Sequence, residues 1–223
     1  MVDRAGEPSK RAPSLVAPAA AFGAFGVGFG LWAGASAQVL TQAGVSPALY
    51  GLALTLETAT YVAAMWFAGR LSRRFGVRAT MLAAIPVMAA SLAALDVAWS
   101  AASVVLGLAA AGIGGGGVDL AMNAEATRVE AELRRPALAA MHARASAGFA
   151  LGAIAGSWVA VRAGQGAVAA LAVAALSAAE AVAFRAMPRR GADLALASAP
   201  GSDAAATVRG DGAPRALAIV GLM

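Results

Sequence analysis

The chain has 223 residues, 60% hydrophobic and only 13% charged, with a formal net charge of +5 and no cysteine. Soluble domains carry about 25% charged residues, so a water-covered globule is excluded, as are a disulfide framework and a thiolate metal site. The basic residues fall in short clusters between apolar runs rather than on one face, which excludes the continuous footprint of a nucleic-acid partner.

Residues 1–13 are polar and read as a tail on the cytoplasmic side. The apolar run from residue 14 is too long for a signal-peptide core. A membrane span needs about 20 mostly apolar residues, and no formal charge occurs between Arg11 and Glu57. That stretch holds two spans, broken at the turn Gln42-Ala43-Gly44-Val45-Ser46-Pro47. Helix 1 is predicted near 15–40 and helix 2 near 48–69. A basic hairpin follows from Arg70 to Arg78, then helix 3 near 79–95 and helix 4 near 100–122. The charged stretch from Glu125 to Arg135 reads as a helical extension stopped by Pro136. Helices 5 and 6 are predicted near 137–161 and 164–186.

The expected architecture is therefore an all-α integral membrane protein, with six transmembrane helices over residues 14–186. Residues 187–214 lack apolar periodicity and read as a cytoplasmic linker. Residues 215–223 open a further apolar run, too short to span, which reads as the start of a truncated seventh helix. With the N-terminus inside, Arg162 alone of the 17 basic residues lies outside. The positive-inside rule predicts that orientation.

Glu57 lies near the middle of helix 2, where an ionised side chain costs at least about 2.5–3.5 kcal/mol. Such a group faces a cavity or a partner. It either binds substrate or a coupling proton, or is an acid satisfied by a hydroxyl such as that of Tyr61, one turn later on the same face. Helix 1 carries Gly26, Gly28, Gly30, Trp32, Gly34 and Gln38. No strand precedes these glycines, so they are no dinucleotide loop; they suit a closely packed helix beside a cavity. There Trp32 could stack on cargo and Gln38 could hydrogen-bond to it, packing being the alternative for each. Gly148, Gly152 and Gly156 give helix 5 a small-residue face. Asn123 suits either cargo contact or a bond between helices. His142, the single histidine, either titrates at an inner gate or is an interfacial polar residue.

The segment Gly69-Arg70-Leu71-Ser72-Arg73-Arg74-Phe75-Gly76-Val77-Arg78 resembles the signature G-x-L-a-D-R-x-G-R-K of the major facilitator superfamily (MFS), in the same place between helices 2 and 3. Gly69, Leu71, Arg74, Gly76 and Arg78 match; Arg73 replaces the acid and Val77 a basic residue. The resemblance implies an inner gate of Gly69, Arg73, Arg74, Gly76 and Arg78, with Asp119 as the carboxylate partner and His142 nearby. Gly112, Gly114 to Gly117, Asp119, Met122, Asn123, Met141, His142, Ser146, Gly148 and Gly152 resemble a sugar-permease-like bacterial branch. Leu108 stands where many proton-coupled members carry arginine, and helix 5 lacks the Gly-Pro pair of drug antiporters.

What the resemblance implies is the N-terminal half of a multi-pass permease of the bacterial inner membrane. It would move a small solute by alternating access, without a cofactor, the proton being the candidate coupling ion. Its partners would be the lipid bilayer and either a missing C-terminal half or a second copy. The alternatives are a non-transporting scaffold or half-transporter, a multidrug exporter, and an intramembrane enzyme. The last lacks a Gly-x-Ser-x-Gly elbow, and one histidine without cysteine makes no zinc site.

Overall fold

In lipid the backbone must satisfy its own polar groups, and long apolar runs therefore become helices. The computed structural model describes residues 14–187. Six helices succeed one another there: α1 (Val16–Gln42), α2 (Pro47–Phe75), α3 (Val77–Asp96), α4 (Ala101–Leu133), α5 (Leu138–Ala163) and α6 (Gln165–Ala186). Each is long and apolar enough to cross a membrane. The chain divides after Met187, and the tail (1–13), the linker beyond Met187 and the seventh-helix run (215–223) lie outside the described residues.

Local chemistry sets the breaks. Ser46 accepts the Leu49 N–H at 3.2 Å and Pro47 opens α2, a pairing that suits a helix start. Ser100 and Ser103 form a reciprocal capping box at α4. Single glycines separate α2 from α3 and α5 from α6: Gly76 at φ 89° and Gly164 at φ 82°. Only glycine adopts such angles without strain.

One expectation is corrected here. The predicted hairpin over Arg70–Arg78 is helical as far as Phe75, and the turn is Gly76 alone. Arg73 and Arg74 occupy the last turn of α2, where cations complement the negative end of the helix dipole. The arginines thus stabilise the helix they were expected to end. The extension of α4 does form: its 33 residues rise about 50 Å, against about 30 Å of hydrocarbon. It stops at Leu133, with Arg134 in the left-handed region at φ 51°.

Helix α1 lies along α5 and α6, α4 lies along α2 and α3, and α3 meets α6 to join the two groups. Phe22, Met81, Met88, Leu92, Leu108 and Leu176 fill the centre. Consecutive α1 and α2 share almost no contact, which leaves a gap between them.

The α1–α5 seam is built on backbone rather than on side chains. A methyl at Gly148 would sit 2.6 Å from the Gly23 carbonyl oxygen, and one at Gly152 2.5 Å from that of Val27. Gly156 faces Leu31 in the same way, while Gly26, Gly30 and Gly34 face the carbonyls of Ala145, Phe149 and Ala153. Small residues every fourth position on both helices allow this approach, and packing of that kind drives association where lipid removes the hydrophobic effect.

Candidate functional site

The gap between α1 and α2 is a cavity of about 310 Å³. From α1 it is lined by Phe29, Trp32 and Ser36, from α2 by Tyr50, Leu54 and Glu57, and apolar residues of α3, α4 and α5 close it. Its walls come from the later part of α1 and the first part of α2, so it lies toward the end of the bundle opposite Arg70–Arg78.

Two glycines of α4 set where α2 stands. Gly112 packs against the Glu57 carbonyl and Gly116 against that of Tyr61, so each lets α2 approach by about one methyl radius. Beside Gly112 the Thr60 hydroxyl donates to the Ala109 carbonyl at 2.9 Å, tying α2 to α4. On the other side of the same helix, Gly114 meets Met88 and Gly117 meets Ala84 of α3. The glycine run makes α4 a thin wedge between α2 and α3, and that wedge holds Glu57 at the cavity.

The candidates separate into distinct groups. Trp32 and Glu57 share the cavity, Trp32 being almost wholly buried. Gln38 turns elsewhere: its Oε1 accepts from Gln165 Nε2 at 3.0 Å, joining α1 to the start of α6. Tyr61, four residues from Glu57, lies beside Asp119 of α4. Asp119 in turn accepts from Asn123 Nδ2 at 2.9 Å, which makes a polar string of Tyr61, Asp119 and Asn123 between α2 and α4. This string sits nearer the arginine-bearing end than the cavity does.

At that end Ser72 donates to Thr80 Oγ1 at 3.0 Å across the Gly76 turn. Arg78 Nη2 donates to the Phe184 carbonyl at 2.7 Å and its guanidinium lies 4.6 Å from the Phe184 ring, fastening α3 to the end of α6. Among the described residues no ion pair joins Arg73 or Arg74 to Asp119, whereas Arg128 pairs with Glu125 and Glu132. Gly76 makes the turn, whereas Gly69 lies inside α2 and faces Leu120 of α4. His142 is exposed, edge-on to Phe22 with ring centroids 5.0 Å apart.

Several polar groups escaped the sequence reading. Tyr50 and Ser36 face each other in the cavity with Glu57 in electrostatic reach; the seven-residue step from Tyr50 to Glu57 was the available signal, two helical turns on one face. Asp96 is fully buried at the end of α3, and among the described residues neither carboxylate oxygen has a partner. Glu125, 2% exposed, is held by Arg128 at 2.6 and 2.9 Å, one turn away. Glu130 Oε2 accepts the Ala137 and Leu138 N–H groups at 2.6 and 2.7 Å. Those two donors hold its carboxyl below the ordinary glutamate range and tie the extension of α4 to the start of α5.

Comparison with known proteins bears on what such a bundle does. The sequence profile described as Major Facilitator Superfamily matches residues 19–218. The chain is also similar to "Uncharacterized transporter y4wD" of Sinorhizobium fredii, at 34% identity over 139 residues. That stretch covers 62% of this chain and 37% of the relative, so the chain matches little more than a third of the curated relative's length.

Proposed function

The chain belongs to the major facilitator superfamily, and from this we propose that it supplies one six-helix half of a secondary transporter that binds a small solute in the cavity between α1 and α2. The family points to transport rather than catalysis and to a multi-pass membrane protein. In such transporters the solute sits between two repeats that rock about it. The second repeat would come from further chain or from another copy. The arginine-bearing end faces the cytoplasm of a bacterial inner membrane, as the distribution of basic residues supports.

The observation that carries this reading is the meeting of Glu57, Tyr50, Ser36 and Trp32 around one cavity whose remaining walls are apolar. Two hydroxyls and a carboxylate offer hydrogen bonds to a polar solute, and the Trp32 ring offers a face on which a sugar-like or flat molecule can stack. Glu57 is the candidate carrier of a coupling proton, since a carboxyl at a lipid-excluded cavity can exchange its charge for a proton as the cavity opens. Tyr61, Asp119 and Asn123 form the second polar station, toward the cytoplasmic end.

The natural absence of cysteine makes a direct test available. Ser36→Cys and Ala33→Cys should react with a membrane-impermeant thiol reagent, while Leu176→Cys, in the packed centre, should not. If Ser36→Cys and Ala33→Cys are as inert as Leu176→Cys, the cavity is dry and a scaffold is the better reading. In a complete transporter containing this half, Glu57→Gln should abolish the pH dependence of uptake. Retained pH dependence would remove Glu57 from coupling.

A further inference from the structure

On the opposite flank of α2 from the Glu57 cavity, a second hollow of about 660 Å³ runs between α2, α3 and α4. Its walls are almost entirely apolar, with Ala63, Phe67, Ala84, Val87 and Ile113 along its length. Gly114 and Gly117 lie on its floor, where they let α3 approach α4 at Met88 and Ala84. At one end, and only there, the lining becomes cationic, with Arg70 and Arg74.

The length of this groove fits one kind of occupant. From Thr60 to Arg74 the α2 wall rises about 21 Å. Half of a bilayer, including its headgroup layer, is about 20–22 Å. The apolar part therefore lies at the depth of acyl chains and the arginines at the depth of phosphates. Both guanidinium groups are carried on aromatic rings, Arg70 at 3.0 Å from the Trp66 centroid and Arg74 at 5.2 Å from that of Phe75. Such stacking leaves the edge N–H donors free for an anion. No acid intervenes among Arg70, Arg73, Arg74 and Arg78, and among the described residues none of Arg70, Arg73 and Arg74 is ion-paired.

We propose that the groove between α2, α3 and α4 binds an anionic phospholipid from the leaflet at the arginine-bearing end, its acyl chain along Phe67, Val87 and Ile113 and its phosphate on Arg70 and Arg74. A zwitterionic lipid would fill the same apolar groove and gain less from the arginines. Each cation near an anionic surface favours binding enough that two give a preference on the order of 10–30-fold.

Trp66, stacked under Arg70, provides the readout. The full chain is prepared with Trp32, Trp99 and Trp158 replaced by phenylalanine and reconstituted in phosphatidylcholine nanodiscs. Brominated phosphatidylglycerol or brominated phosphatidylcholine is then titrated in as a quencher. The site requires half-maximal quenching of Trp66 at a mole fraction of the anionic lipid at least several-fold lower than of the zwitterionic one. Arg70→Gln with Arg74→Gln should erase that difference while both lipids still quench, and Arg162→Gln, at the other end of the bundle, should leave it intact. Equal quenching by the two lipids overturns the proposal, as does a preference that survives Arg70→Gln with Arg74→Gln. Quenching by neither lipid also overturns it, and points to a protein segment in the groove.

Discussion

Replacing Gly152 by alanine tests the backbone seam between α1 and α5 with a single methyl. The added carbon would lie 2.5 Å from the Val27 carbonyl oxygen and 3.1 Å from the Gly30 Cα, where ordinary contact begins at 3.4 Å. An overlap of about 0.9 Å with backbone cannot be relieved by a rotamer change, so the helices must part. Overpacking of this kind costs about 1–3 kcal/mol. Alanine returns up to about 1 kcal/mol through its better helix propensity. With the full return the two terms leave a net loss of about 0–2 kcal/mol. Gly23, on the same seam, is the internal control, because a methyl there meets nothing within 4 Å. Gly23→Ala should be neutral or gain up to about 1 kcal/mol from propensity alone. Unfolding in mixed micelles of increasing SDS fraction, followed by circular dichroism, measures both variants against the parent. Should Gly152→Ala prove as stable as Gly23→Ala, the close approach of α1 to α5 would be wrong.

The extension of α4 yields two further expectations. The Glu130 carboxylate is stabilised by two amide donors, so its contribution is fully present above the ordinary glutamate pKa of about 4.3 and fades as pH falls through the depressed folded value. Amide exchange at Ala137 and Leu138 should therefore accelerate in acid relative to neighbouring amides, and Glu130→Gln should show fast exchange already at neutral pH. Exchange that ignores both pH and the substitution would refute the cap. Arg128→Ala leaves Glu125 buried without its cation; with the arginine side chain 23% exposed, the loss should be about 2–4 kcal/mol, slightly below that of a wholly buried pair. Adding Glu125→Leu should recover most of it in the same SDS titration, and a failure to recover would assign the loss to packing.

The spans were legible because charge is so costly in hydrocarbon that its absence marks lipid. The edges of α1, α3, α5 and α6 lie within about two residues of where charge and turn residues put them. The Arg70–Phe75 segment misled for an electrostatic reason: arginines were read as loop residues, although at a helix C-terminus they favour helix. Which helices touch was not legible. The fourfold glycine spacing of α1 and α5 is visible in each helix alone, but nothing local says that the two faces meet.

The candidate site divides along the same line. Glu57 stood out by its charge and Trp32 by its size, and the structure brings both to one cavity. Gln38 and Tyr61 have local positions that fit cargo contact equally well, yet Gln165 and Asp119, distant in sequence, claim them. Tyr50 and Ser36 were overlooked as ordinary helix residues. Asp96 was overlooked because a carboxyl at a predicted helix end normally reaches water, and only the tertiary packing shows it sealed.

Where carbonyl oxygens seat in glycine notches every fourth residue, two helices are geared rather than greased. A slide of one or two ångströms along the axis would bring Val27 or Leu31 oxygen against the side chains between the notches of α5. The next comfortable register is a whole turn away, about 5.4 Å. Helices α1 and α5 are thus expected to travel as one body, or to jump by a full tooth, and spin labels placed on the two should report discrete separations rather than a continuum.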